Sequence, residues 1–267
     1  MKINISNLVP KNWAIDDLED KIRVYYIVKR GHSYANPKPV TFPKVIVVDE
    51  NLIEGLAFYL GDGSFQKNKH HAAFSNKDKD ICKFMWTFFQ NRFGLKTDDI
   101  SCRIHYRKRN PKTIEEWSSF LGIPKTKFVA KHFERNRCET LTLQINRTIF
   151  RQIYEALTKE VVKSNVLENK NLRRAFLRGL FAAEGSIGIA KDSPKPYINY
   201  ICFSLSYYED KLAKLVTEAL NLEDVKWKIV KDLADHSAQI QTFGGVITGS
   251  FGTVEFLNFV RERNQNF

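Results

Sequence analysis

Residues 52–65 read LIEGLAFYLGDGSF and residues 174–187 read RAFLRGLFAAEGSI. Both are apolar runs of helix length with a small residue in the middle. Both close on a small residue, a lone carboxylate, glycine and serine: Gly61-Asp62-Gly63-Ser64 and Ala183-Glu184-Gly185-Ser186. A carboxylate in the last turn of a helix meets the negative end of the helix dipole and is disfavoured there. The glycine after it is expected to stop the helix as a left-handed residue. A locally unfavourable position that occurs twice points to a site rather than to packing.

The sequences following the two motifs run in parallel. After the first comes a hairpin, Ser64–Ser75, turning through Lys67, Asn68 and Lys69. Ser75-Asn-Lys-Asp78 reads as a capping box that opens an apolar helix, Ile81–Phe93, ending at Gly94. After the second motif a hairpin turns at Asp192–Pro196, and Ser206-Tyr-Tyr-Glu209 opens the helix Leu212–Leu220. Phe84, Trp86, Phe88 and Phe89 are expected in the core rather than as a base-stacking platform. In Ile100–Arg109 the residues Ser101, Arg103, His105, Arg107 and Arg109 alternate with Cys102, Ile104 and Tyr106; Lys226 and Lys228 alternate with Val225, Trp227 and Ile229. Period-two alternation predicts half-buried strands with the cations on the open face. Each half then ends in a strand and a helix, Thr140–Asn146 with Thr148–Leu157, and Val246–Ser250 with Thr253–Arg261.

The pattern predicts an α+β fold of two tandem αββαββα repeats related by a pseudo-twofold axis, each with a four-stranded antiparallel sheet. The expected divisions are an N-terminal extension 1–48, a first repeat 49–157 with an insertion at 111–137, a linker 158–171 and a second repeat 172–267. The extension carries strand-like pieces at Arg23–Val28 and Lys44–Val48 around a loop rich in Pro, Gly and His. The insertion holds Lys112, Lys125, Lys127, Lys131, Arg135 and Arg137, and its Trp117–Pro124 reads as one short helix with a glycine stop.

The formal charge of +12 over 267 residues calls for an anionic partner, nucleic acid ahead of an acidic membrane. From Arg103 to Arg178 there are 18 Lys and Arg against 7 Asp and Glu, whereas from Ile201 onward the balance is slightly acidic. That segregation suits a polyphosphate lying on one face. The four cysteines show no CxxC spacing, which argues against zinc and against a disulfide framework. No apolar run approaches a membrane span and the N-terminus lacks a signal-peptide core. A soluble intracellular protein, in cytoplasm, nucleoid or organelle matrix, is expected. Nothing resembles a P-loop, a dinucleotide fold or a nucleophilic triad.

If the two motif helices pack side by side, Ala57 and Gly61 on one and Gly179 and Ala183 on the other let the backbones approach closely. Asp62 and Glu184 then come together, and two adjacent carboxylates require a cation between them. A hard divalent ion, Mg²⁺ foremost, with Mn²⁺ or Ca²⁺ able to take its place, fits oxygen ligands. The backbone carbonyls of Gly61 and Ala183 at the helix ends are further ligands. Such an ion suits phosphodiester hydrolysis. His70-His71 lies in the hairpin and reads as groove-facing or packing, since neighbours on a strand point opposite ways.

Gly55–Gly63 (GLAFYLGDG) and Leu177–Gly185 (LRGLFAAEG) resemble, letter for letter, the nine-residue signature of the LAGLIDADG homing endonucleases in their monomeric two-repeat form. The family's metal-binding acid falls on Asp62 and Glu184, and its small helix-contact residue on Ala57 and Gly179. Its variable sixth letter, an acid in the signature, is Leu60 and Ala182 here. The resemblance covers about residues 50–267. It implies a sequence-specific, metal-dependent endonuclease that lays two saddles along the major groove of double-stranded DNA and leaves short 3′ overhangs. The host would be an intron or an intein, or the protein stands free.

The resemblance also implies a catalytic basic residue entering the linker, here Lys163 with Lys159 as the alternative, and a polar water-positioning side chain at Ser75 and Ser204. DNA contacts are expected from Gln66, Asn68, Lys77, Arg103, His105, Arg107, Lys191, Asn199, Lys226 and Lys228. An RNA-splicing maturase that contacts intron RNA, or a DNA-binding protein without cleavage, are the rival readings. The insertion is where a second binding surface would sit.

Overall fold

The computed structural model describes residues 1–27, 38–64, 70–108, 111–134, 138–163, 165–190, 197–206, 210–232 and 237–243. The chain forms two compact units, one of residues 1–55 and 62–164, the other of 56–61 and 165–267.

In the first unit β1 (Lys2–Asn4) pairs with β5 (Val45–Val47), and β2 (Trp13–Leu18), β3 (Lys21–Tyr26) and β4 (Val40–Pro43) form a three-stranded antiparallel sheet. These strands are anchored on the body. Ile5, Ile22, Val24 and Phe42 are buried, and Trp13 Nε1 donates to Gln152 Oε1 at 3.0 Å. Helix α1 (Glu50–Asp62) follows and leads straight into β6 (Gly63–Ser64), which pairs with β7 (Ala72–Asn76).

Helix α2 (Lys79–Phe93) starts at Asp78, whose side chain accepts from the N–H groups of Asp80 and Ile81. The expected cap, Ser75, instead lies in β7 and its hydroxyl meets that of Thr142 at 2.7 Å. An aspartate one residue before the helix reaches its free N–H groups better than a serine still paired in a strand. Ile81, Met85, Trp86, Phe88, Phe89 and Phe93 are buried at helical spacing, and the helix stops at left-handed Gly94 (φ 67°). Phe84 is half-buried and stacks on Phe88.

Strand β8 (Ile100–Tyr106) is followed by the insertion, which contains helix α3 (Thr113–Leu121), stopped by left-handed Gly122 (φ 68°), and an unexpected strand, β9 (Phe128–His132). Strand β10 (Thr140–Ile145) and helix α4 (Thr148–Lys163) complete the unit, the helix running on past the expected end at Leu157. The sheet order is β6-β7-β10-β8-β9, antiparallel except that β9 runs parallel to β8. Its core face carries Phe74, Ile104 and Leu143 against α2, whose Phe89 and Phe93 meet Phe150 and Tyr154 of α4 edge-on or tilted.

The second unit contains α5 (Lys170–Glu184), β11 (Gly185–Ala190), β12 (Tyr197–Ser206), α6 (Asp210–Leu222), β13 (Trp227–Asp232) and β14 (Ser237–Phe243). Its antiparallel sheet has the order β11-β12-β14-β13. This repeats the order of the first sheet, with β9 as the added strand. The central strand β14 was not expected. Ser206 closes β12, and residues 207–209 of its expected capping box lie outside the described residues, as do the expected strand Val246–Ser250 and helix Thr253–Arg261.

Neither motif ends on a left-handed glycine. Gly185 is extended (φ −84°, ψ 147°), and the glycines with positive φ among the described residues are Gly94 and Gly122. Each motif helix passes directly into a strand, so no reversal is needed. Gly185 serves close approach instead, because a Cβ there would collide with the ring and carbonyl of Phe181.

Candidate metal and nucleic-acid site

Asp62 is the last residue of α1 and Asn76 the last of β7, and strand pairing of Gly63 with Phe74 brings them side by side. Asn76 Nδ2 donates to Asp62 Oδ2 at 2.6 Å, while Asn76 Oδ1 accepts from the N–H of Asp78. Both ends of the amide are therefore committed, which orients it toward the carboxylate. Burial pushes the Asp62 carboxyl up to about 6, against the opposing pull of the Asn76 hydrogen bond. Such a carboxylate gains from a cation. Ser75, one residue earlier, points to the other face of the sheet, where it is exposed.

In the second unit, which includes residues 56–61, Gly61 of α1 meets the end of α5. A Cβ added at Gly61 would lie 2.6 Å from Ala183 Cβ and 2.9 Å from Glu184 Cγ, closer than real side chains allow. Gly61 is thus brought against Ala183 and Glu184, and only glycine fits there. Ala57 and Gly179, the other small residues expected at the helix contact, are buried. Glu184 is the last residue of α5, followed by Gly185, whose N–H bonds to Phe181 O. Among the described residues no group of three or more His, Cys, Asp or Glu side chains could hold a metal ion. Carboxylate and main-chain carbonyl oxygens, the donor types expected from the sequence at Asp62, Glu184, Gly61 and Ala183, are those a hard cation takes.

The cationic residues divide between a described face and the rest. Strand β8 buries Cys102 and Ile104 and leaves Ser101, Arg103 and His105 on the open side, the alternation expected. Across the sheet Thr142 lies beside Arg103 and Thr140 beside His105. Burial first, then the charges of Arg103 and Lys131, lower the pKa of His105, so it adds no proton to this face at neutral pH. Lys77 and Arg107 are exposed just beyond the ends of β7 and β8. Lys226 is exposed and directly precedes β13, while Lys228 lies within it, opposite Gln241. Asn199 is the extra residue of a bulge in β12, where pairing with β11 shifts between Gly188 and Ile189. Ser204 sits in β12 opposite Gln239. Gln66, Asn68 and Lys191 lie outside the described residues.

Lys163 is the final residue of α4, and Lys159, one turn earlier, is exposed and ion-paired with Glu155 at 2.9 Å. His70 is exposed and its carbonyl accepts from the Thr148 hydroxyl. Asn76 escaped the sequence reading, hidden inside a stretch read as a capping box. Lys131 was among the basic residues read in the insertion, but the strand that carries it, β9, was not expected. The signal for Asn76 was an amide at the end of the strand that returns toward the motif.

No helix among the described residues is long and apolar enough to cross a membrane. No family model and no curated protein matches the chain. In structure the chain is similar to LAGLIDADG proteins. Mesophilic variants of the homing endonuclease I-DmoI match with TM-score 0.45 at 12% identity, over 80% of this chain and 88% of that one. I-DmoI in complex with DNA and Mn matches with TM-score 0.43 at 13% identity, over 80% and 96%. The N-terminal LAGLIDADG domain of DUF199/WhiA matches with TM-score 0.41 at 15% identity, over 80% of this chain and 84% of that one.

Proposed function

We propose that this protein is a sequence-specific, divalent-metal-dependent endonuclease of the LAGLIDADG homing type, cutting both strands of double-stranded DNA and leaving short 3′ overhangs. The two repeats are related by a pseudo-twofold axis, their sheets form two saddles, and the protein acts as a monomer. The observation that carries the reading is Gly61 pressed against Ala183 and Glu184. That contact has no packing reason to end on two acids, and the residue after Gly61 is Asp62.

Asp62 and Glu184 hold the ion, with the carbonyls of Gly61 and Ala183 nearby as ligands. Mg²⁺ is the preferred occupant, and Mn²⁺ or Ca²⁺ fits the same oxygens. When bound, the ion supplies the positive charge that a phosphodiester needs as it is cut. Asn76 grips one carboxylate oxygen and so fixes the direction in which Asp62 presents the other. Lys163, at the end of α4, is the candidate for polarising the phosphate. Arg103, Arg107, Lys77, Lys226 and Lys228 neutralise the DNA backbone or read guanine edges.

The test is cleavage of a randomised double-stranded DNA library with Mg²⁺, alongside Asp62→Asn, Glu184→Gln and an EDTA control. Site-specific breaks that vanish in all three controls are the expected result. Tight binding of one sequence without cutting, in Mg²⁺ or Mn²⁺, would replace the nuclease with a DNA-binding protein. Affinity for structured RNA with stimulated splicing would mark a maturase.

A further inference from the structure

The insertion adds a strand to the first sheet at its β8 edge, parallel to β8. A strand running parallel to its neighbour needs a crossover connection, and the connecting element must lie over one face of the sheet. Here α3 lies on the α2 side. Lys79 Nζ sits 5.3 Å from the Trp117 ring and Lys83 Nζ 5.2 Å from the Phe120 ring, while Thr113 and Trp117 are tied to Glu139. The described part of the insertion therefore widens the sheet, with α3 on the side opposite the open face.

Register decides which side chains of β9 reach that face. Cys102 pairs with Phe128 and Ile104 with Ala130 on the core side, so Arg103 stands beside Val129 and His105 beside Lys131 on the open side. The influence of Lys131 on His105 is consistent with that placement. Val129 is 51% exposed, and Phe133, just past the strand, is 49% exposed with its ring against His105. The other described lysines near β9 are engaged elsewhere, Lys125 with Glu115 and Lys127 with Asp98. Lys131 thus brings a basic residue of the insertion to the open face. Among the described residues no acidic side chain forms an ion pair with Lys131 or Arg103.

We propose that β9 is a fifth DNA-binding strand, with Lys131 contacting the phosphate backbone of double-stranded DNA beyond the reach of β8, and Val129 lying against sugar or base. The proposal rests on the DNA-binding reading above. A strand adds about 4.8 Å of sheet width, so the contact extends the footprint by one to two base pairs at about 3.4 Å each.

The experiment measures binding of a mixed-sequence DNA duplex across a series of NaCl concentrations, for the wild type, Lys131→Ala, Arg103→Ala and Lys125→Ala. Thermal melting of each variant checks that the fold is kept. Lys131→Ala is expected to bind several-fold more weakly and to lower the slope of log affinity against log salt by about 0.9, the loss of one phosphate contact. Lys125→Ala, its lysine engaged by Glu115, is expected to match the wild type. If the wild type and Arg103→Ala differ but Lys131→Ala keeps wild-type affinity and slope, the fifth strand is overturned and the DNA-binding reading stands. If the wild type does not bind the duplex at any salt, that reading falls and takes this one with it. Weakening confined to a structured RNA competitor would overturn the assignment to DNA.

Discussion

Asp62 is costly to ionise in the folded protein, because burial raises its carboxyl to about 6 while the unfolded chain titrates near the ordinary value of 3.8. Between those values the folded state holds a proton that the unfolded state has released. Stability of the metal-free protein therefore falls as pH rises through that window and levels off above it. Asp62→Asn removes this penalty and keeps an amide beside Asn76. The metal-free variant is expected to melt higher than the wild type at about pH 7.5 and to converge with it near pH 4. Equal melting at both values would show that the carboxylate is not held at a disadvantage. The acid was legible in the sequence because its position at a helix end is unfavourable wherever the chain folds. Its amide partner was not, since Ser75 and Asn76 are both short and polar and only strand register decides which faces the site.

Helix α5 carries Glu184 at one end and a buried ion cluster at the other. Arg173 and Glu223 are 7% and 4% exposed; Arg173 Nε donates to Glu223 Oε1 at 2.7 Å and Nη1 to the Leu167 carbonyl at 2.8 Å. Arg174 Nε adds a second donor to Glu223 at 3.0 Å. Glu223 directly follows α6, so the cluster locks the start of α5 to the end of α6 and sets where Glu184 falls. Glu223→Ala would leave a buried guanidinium unpaired and is expected to cost about 3–5 kcal/mol, read as a lowered urea midpoint. A loss below about 1 kcal/mol would mean that water reaches Arg173 and the cluster fixes nothing. Elements with a strong period were legible: α1, α5 and β8 follow from spacing, and α2 and the short helix α3 from spacing together with the glycine stops at Gly94 and Gly122. Two of the missed strands lack that signal. Strand β2 leaves Ile15, Asp16, Asp17 and Leu18 all exposed, and β9 pairs its core-side Phe128 with only a small Ala130, so neither offers a marked apolar period.

At the scale of the molecule, the described residues of the first 48 (1–27 and 38–48) belong to the first unit and contribute to its core rather than forming an arm outside it. Nine apolar side chains among these described residues are buried, including Ile5, Trp13, Ile22, Val24, Phe42 and Val48. The chain enters α1 directly from the β1–β5 pair, where the N–H of Val48 bonds to the carbonyl of Met1. Asp49 then holds Arg92 of α2 through both carboxylate oxygens, at 2.8 and 2.7 Å. The sequence left this open because the segment has no counterpart in the second half, and a duplicated pattern says nothing about what only one copy carries. Burying one such side chain contributes about 1.5–3 kcal/mol. Even half of the nine would then exceed the lower part of the roughly 5–15 kcal/mol net stability of a domain. Removal of residues 1–48 is therefore expected to abolish cooperative unfolding of the first unit. Calorimetry of the shortened chain is the check: a sharp transition at the original midpoint would show that the extension only rests on the surface, whereas its loss, with exposed apolar surface that binds a hydrophobic dye, follows if the strands complete the core on which α1 presents Asp62.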